Sequence, residues 1–127
     1  MSETERTRAA VRAYVERAEA RDWEAFGALL ADDVVYEMPQ TRERIHGKQP
    51  YLRFNRDYPG DWHLEIRRIV ADGRHAAAWI DSRIGDEHQD ACIWFDLEDD
   101  GLIAKVTDFW PDPYEPPPGR EHLTERR

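Results

Sequence analysis

Residues 62–110 read WHLEIRRIVADGRHAAAWIDSRIGDEHQDACIWFDLEDDGLIAKVTDFW. Their polarity alternates with a period of two, broken by Asp72-Gly73, Gly85-Asp86 and Asp99-Asp100-Gly101. Glycine beside aspartate suits tight hairpin turns, whose central residues adopt positive φ. The pattern predicts four consecutive antiparallel strands at about 62–71, 74–84, 88–98 and 102–110. Each is longer than the usual five or six residues, which favours a strongly curved sheet.

Upstream, the period changes to that of a helix. Ser2 and Glu5 have capping-box spacing, and Val11, Tyr14, Val15 and Ala18 follow at i, i+3, i+4 and i+7, so a helix is expected over about 3–20. Asp22 can cap a second, shorter helix carrying Trp23, Phe26, Leu29 and Leu30 and ending near Ala31-Asp32-Asp33. The β-branched and aromatic run Val34-Val35-Tyr36-Glu37-Met38 reads as a strand stopped by Pro39. Pro50 suits a first helical turn, and Tyr51, Phe54 and Tyr58 share a stripe, which predicts a third helix at about 48–57. From Pro111 the proline cluster lacks ladder donors and should run extended over the surface.

The length of 127 residues predicts a single domain, 1–127, with a core at about 5–112 and a proline-rich tail at 111–127. The order helix, helix, strand, helix, four-strand meander gives an α+β class, with a curved antiparallel sheet packed on three N-terminal helices. Asp and Glu (27) outnumber Lys and Arg (18), for a net charge of −9, so the mean field repels a phosphate backbone and nucleic acid is not an expected partner. No apolar run approaches the ~20 residues of a membrane helix, and Met1–Arg6 lacks an apolar signal region, so the cytoplasm is the expected compartment. Cys92 is the only cysteine, and its plain reading is a small residue packed in a strand. The histidines at 46, 63, 75, 88 and 122 are scattered, and no glycine-rich phosphate loop is present, so neither a metal nor a cofactor is expected.

Candidate chemistry lies in polar groups set among apolar ones. On the last strand Asp108 alternates onto one face with Leu102, Ala104, Val106 and Trp110. Desolvation there disfavours the charged form and brings the carboxyl toward neutral titration, whereas on an exposed face Asp108 would merely be solvated. Asp81 is a second candidate: Ala76, Ala78, Ile80 and Ser82 lie on one face of its strand, and His75, Ala77, Trp79, Asp81 and Arg83 on the other. If the Ala/Ile face is the inner one, Trp79 and Trp94 meet on an outer surface that a homodimer would bury. Tyr36 and Met38 project together from the first strand, and a tyrosine hydroxyl in an apolar pocket can donate to a substrate oxygen. Tyr14 is similar, although its stripe position also suits core packing. His63 reads either as an acid/base or as a surface strand residue.

Tyr14-Val15, the run Ala31-Asp32-Asp33-Val34-Val35-Tyr36-Glu37-Met38-Pro39 and Asp108-Phe109-Trp110, set in this element order, resemble the nuclear transport factor 2-like superfamily. That resemblance implies a cone-shaped fold with a pocket between sheet and helices, and it leaves activity open because the fold serves many functions. Similarity to ketosteroid isomerase would place its oxyanion tyrosine on Tyr14, but its base aspartate on Met38 and its second aspartate near Ile93. Without those carboxylates that activity is not expected. Similarity to limonene-epoxide hydrolase would place the base on Asp108, the acid on Asp81 and a water-holding tyrosine on Tyr36, with the intervening arginine falling on Trp79. The first alignment turns Ala78, Ile80 and Ser82 inward; the second turns Trp79 and Asp81 inward. Asp108 followed by Trp110 also resembles the SnoaL-like polyketide cyclases, in which one last-strand aspartate does acid/base work.

The expectation is therefore a cofactor-independent acid/base enzyme of the SnoaL-like group acting on a small hydrophobic molecule, with a non-catalytic binding or dimerisation module as the alternative. Asp108, Tyr36 and Asp81 are the catalytic candidates, and Tyr14, Met38, Phe54, His63 and Trp110 the substrate-binding ones.

Overall fold

A computed structural model describes all 127 residues. Helix α1 (Glu3–Glu19) starts at Ser2, whose side chain accepts from the Glu5 amide while the Glu5 carboxylate accepts from the Ser2 amide. Both bonds satisfy donors that a helix start leaves orphaned. Its Val11, Tyr14, Val15 and Ala18 are buried, as their spacing requires. Arg21 then turns the chain at a positive φ of 60°. Its guanidinium lies over the Trp62 ring and donates to the Trp62 carbonyl, contacts that offset the strain of a left-handed non-glycine residue. Helix α2 (Trp23–Gly27), capped by Asp22, is only five residues long. Gly27 lets it approach α3 (Lys48–Arg56): a Cβ there would come within 3.2 Å of the Leu52 side chain.

Six strands, β1 (Leu30–Met38), β2 (Glu43–His46), β3 (Trp62–Asp72), β4 (His75–Ile84), β5 (Glu87–Leu97) and β6 (Ile103–Phe109), form one sheet in the order β2-β1-β6-β5-β4-β3. The predicted meander is present as β3, β4, β5 and β6, each pairing antiparallel with the next. Three features differ from expectation. Helix α2 ends at Gly27 instead of near Ala31-Asp32-Asp33, because Leu29 and Leu30 are drawn into the sheet beside Ile103. Strand β1 begins four residues earlier than its apolar run, because Leu30 pairs with Ile103 and Leu29 accepts from the Ile103 amide. The exposed Asp32 and Asp33 lie inside this strand, at a register shift between Leu30 and Val35. In addition, Glu43–His46 forms an edge strand, β2, whose mostly exposed residues carry no alternation to announce it.

Strand β1 lies parallel to β6, the one parallel pairing in an otherwise antiparallel sheet, with Tyr36 opposite Val106 and Glu37 opposite Thr107. This register brings the inward side chains of β1 alongside Asp108. Ala76, Ala78 and Ile80 of β4 and Ala91, Ile93 and Phe95 of β5 are buried, whereas Trp79 and Trp94 are 45% and 53% exposed. The Ala/Ile face therefore packs toward the helices, and the tryptophans lie on the outer surface of the sheet. No helix is long and apolar enough to cross a membrane.

Candidate functional site

A cavity of about 270 Å³ lies between the inner face of the sheet and the helices. Tyr14 and Ala18 of α1 line it, with Tyr51, Phe54 and Asn55 of α3, Tyr36 and Met38 of β1, Ile80 and Ser82 of β4, Ala91 and Ile93 of β5, and Asp108 of β6. Tyr58, Trp62 and Trp110 complete an aromatic wall. Asp108 is the only Asp, Glu, Lys, Arg or His among the lining residues.

Asp108 has two unlike oxygens. Oδ2 accepts a 2.5 Å hydrogen bond from the Tyr36 hydroxyl, and Oδ1 is buried without any partner. Burial pushes the carboxyl up from an ordinary 3.8 to about 6, against the opposing pull of the Tyr36 hydrogen bond. A half-satisfied carboxylate in an apolar cavity is the setting that moves titration toward neutral pH, since the neutral acid needs less solvation.

Around it stand three tyrosines. The hydroxyls of Tyr14 and Tyr51 share a short hydrogen bond, and the ring of Tyr51 stacks on that of Tyr36 with centroids 4.6 Å apart. Phe54 packs beside both rings, its centroid 5.6 Å from that of Tyr36 and 6.4 Å from that of Tyr51. Burial raises the pKa of Tyr14, Tyr36 and Tyr51, so these hydroxyls stay protonated as donors. Whichever member of the Tyr14–Tyr51 pair donates, the other keeps a proton available to a ligand oxygen.

Of the residues expected at the site, Asp108, Tyr36, Tyr14, Met38, Phe54 and Trp110 all line the cavity. Two do not. Asp81 lies on the outer face of β4, where its carboxylate meets the His88 Nδ1 at 3.0 Å and the Arg67 guanidinium at 3.5 Å. It is buried, but beneath these partners rather than in the cavity, because inward Ile80 and Ser82 flank it in the alternation. Arg67 reaches it from a bulge between Ile66 and Arg68 on β3. His63 is also turned away: its Nδ1 lies 3.0 Å from Glu19 and its Nε2 3.0 Å from Asp61, while its neighbours Trp62 and Leu64 face the cavity.

Sequence reasoning missed Tyr51, Asn55, Ser82 and Gln89 as lining residues. Tyr51 had a signal, since it stands three residues before Phe54 on the same helical stripe. No group of three or more His, Cys, Asp or Glu residues is arranged to hold a metal ion.

The sequence pattern of the SnoaL-like domain family matches residues 11–106. No match is found among curated proteins. Among solved structures, the chain is similar to a Kribbella flavida protein provisionally named a ketosteroid isomerase: 54% identity, TM-score 0.96, 100% of this chain and 93% of that one covered. It is also similar to an LEH-like epoxide hydrolase of Mycobacterium tuberculosis at 28% identity and TM-score 0.71, over 87% of this chain and 86% of that one. A Xanthomonas campestris protein provisionally named a polyketide cyclase shares the fold at 23% identity and TM-score 0.72, with 87% and 93% covered.

Proposed function

The chain belongs to the SnoaL-like domain family, within the nuclear transport factor 2-like fold, and on that premise we propose that it is a cofactor-independent enzyme in which Asp108 moves a proton on a small hydrophobic molecule. The observation that carries this reading is the environment of Asp108: a single carboxyl in an aromatic cavity, held by Tyr36 on one oxygen, unpartnered on the other, and titrating near 6. Such a group is populated in both protonation states close to neutral pH, which is what general acid–base catalysis needs.

As a carboxylate, Asp108 takes a proton from a carbon beside a carbonyl. The free proton of the Tyr14–Tyr51 pair hydrogen-bonds the oxygen on which charge develops, and Asp108 then returns the proton to a second carbon, to a β-hydroxyl that departs as water, or to the alkoxide left when the enolate carbon bonds to a second carbonyl carbon. This sequence serves isomerisation, dehydration or cyclisation. Epoxide opening fits less well, because Asp81, the expected acid partner, sits on the far side of the sheet and the buried tyrosines are weak acids. Similarity to ketosteroid isomerase puts that family's two aspartates on Met38 and near Ile93, and both of these line the cavity as apolar residues, which argues against that route. Acid–base transfer contributes roughly 10²–10⁴-fold, and orientation in the cavity supplies the remainder.

The test is α-proton exchange in D₂O, followed by NMR, on a panel of cyclic ketones and β-diketones, with epoxides assayed in parallel. The wild type is expected to catalyse exchange, and Asp108→Asn to lose roughly 10²–10⁴-fold. Equal rates in the two proteins, or binding of the panel with no exchange, would replace this reading with that of a ligand carrier.

Trp79, Trp94 and Phe109 remain exposed on the outer face of the sheet. The partner proposed for this face is a second copy of the chain, since a homodimer would remove these apolar rings from water at once.

A further inference from the structure

Apart from Asn55, whose Nδ2 donates to the Tyr51 carbonyl at 2.9 Å, and the Tyr58 ring, the polar side chains of the cavity gather at two places. The inner one is the Asp108–Tyr36 and Tyr14–Tyr51 group. The other is a row across the strands, where Ser82 of β4 pairs with Gln89 of β5, and both line the cavity. Ile93, the β5 partner of Asp108, is four residues from Gln89, with apolar Ala91 between them on the same face. At ~3.3 Å per residue the two rows stand about 13 Å apart along the strand.

The hydrogen-bonding capacity left at the second row is specific. The Gln89 Nε2 donates to the Trp110 carbonyl at 3.3 Å, the Pro111 carbonyl at 3.5 Å and the Asp112 Oδ1 at 2.6 Å. All three partners are acceptors, so the amide is oriented with its donors spent and its Oε1 free. The Ser82 hydroxyl beside it has no partner within the chain. An acceptor next to a free hydroxyl is completed by a group that both donates and accepts, that is, a hydroxyl. Lys, Arg and His are absent from the lining, so an anionic ligand would be buried beside Asp108 with no compensating charge.

We propose that Ser82 and Gln89 form a distal hydroxyl-binding subsite, and that the ligand of this cavity is a neutral two-ring compound with one oxygen function at the Asp108 end and a hydroxyl at the other. The proposal rests on the Asp108 site for the inner end and adds the far end. A cavity of about 270 Å³ lies just under the ~300–1,000 Å³ of sites for drug-sized ligands, which suits a small two-ring frame.

The test compares 4-hydroxybiphenyl with 4,4′-dihydroxybiphenyl by calorimetry, using the wild type, Ser82→Ala and Asp108→Asn. Gln89 is left intact because it also anchors the tail. In the wild type the second hydroxyl is expected to tighten binding by about three- to tenfold, the value of one net hydrogen bond. In Ser82→Ala that advantage is expected to fall, the Gln89 Oε1 alone remaining to accept from the second hydroxyl, while the affinity for 4-hydroxybiphenyl stays within about twofold. A wild-type ratio near one, or a ratio unaltered in Ser82→Ala, would overturn the subsite. Asp108→Asn separates the two ends: loss of affinity for both probes with the ratio preserved leaves the distal subsite standing, as does preservation of both. If neither probe binds the wild type, the two-ring ligand class is wrong.

Discussion

The Tyr36 hydroxyl lies 2.5 Å from Asp108 Oδ2 across the parallel β1–β6 junction. Tyr36 is opposite Val106 in register, so its ring reaches along the sheet to a carboxyl two residues further on. The only parallel pairing in the sheet thereby supplies the only hydrogen bond that Asp108 makes through its side chain, and it leaves Oδ1 unanswered. The consequences can be measured without knowing the substrate.

Removing this donor should raise the pKa of Asp108 further, because the Tyr36 hydrogen bond is the influence that lowers it. Tyr36→Phe is expected to displace the carboxyl's titration upward from about 6, as read by ¹³C NMR of labelled aspartate side chains. A downward displacement would mean that solvent replaces the hydroxyl.

The carboxyl should also cost stability at neutral pH. Its pKa is raised from 3.8 to about 6 on folding, so the folded protein binds this proton more tightly than the unfolded chain. The stability that comes from it is complete below about pH 4 and is lost as pH rises through about 6, each tenfold difference in proton affinity being worth roughly 1.4 kcal/mol. Asp108→Asn keeps an acceptor for Tyr36 and carries no charge. It is expected to gain on the wild type by about 2–3 kcal/mol between pH 4 and pH 8, measured as denaturant midpoints at each pH.

Much of this arrangement is legible in the residues. The meander shows itself because alternation and Asp/Gly turns agree over residues 62–110, and Asp108 stands out as a charge within an apolar stripe. Strand β2 does not, because Glu43-Arg44-Ile45-His46 is an exposed edge that needs no apolar face. The facing of β4 is equally hidden, since Trp79 and Ile80 make both faces look apolar. Packing of Ala76, Ala78 and Ile80 toward the helices decides it. Asp81 reads in the sequence as a candidate acid, and it is indeed buried, but by Arg67 and His88. These come from a bulge and from a neighbouring strand, which spacing alone does not bring to it.

Asp81 should accordingly matter for stability and not for the cavity. Asp81→Asn weakens the pairing with His88 and Arg67 and is expected to cost about 1–3 kcal/mol in chemical denaturation. The affinity for cavity ligands should be unaltered. Loss of binding with no loss of stability would return Asp81 to the site.

The outer face gives a separate prediction. Trp79 and Trp94 stand on adjacent paired strands with exposed rings, and a homodimer across this face would bury both. Trp94→Glu, which places a charge in that surface, is expected to turn a dimer into a monomer in sedimentation analysis while leaving the cavity's affinity intact. A monomeric wild type at micromolar concentration would dismiss the dimer.

Whether the cavity holds a proton-transfer group at neutral pH is decided by the titration of Asp108 itself. With aspartate side chains ¹³C-labelled, comparison of the wild type with Asp108→Asn identifies its carboxyl resonance, which is followed from pH 3 to pH 9. A midpoint close to 6 is expected, with the nearby Tyr36 signals moving over the same range. A midpoint near 4, as for a solvated aspartate, would leave the cavity without an acid/base group at neutral pH and the proposed chemistry without its agent.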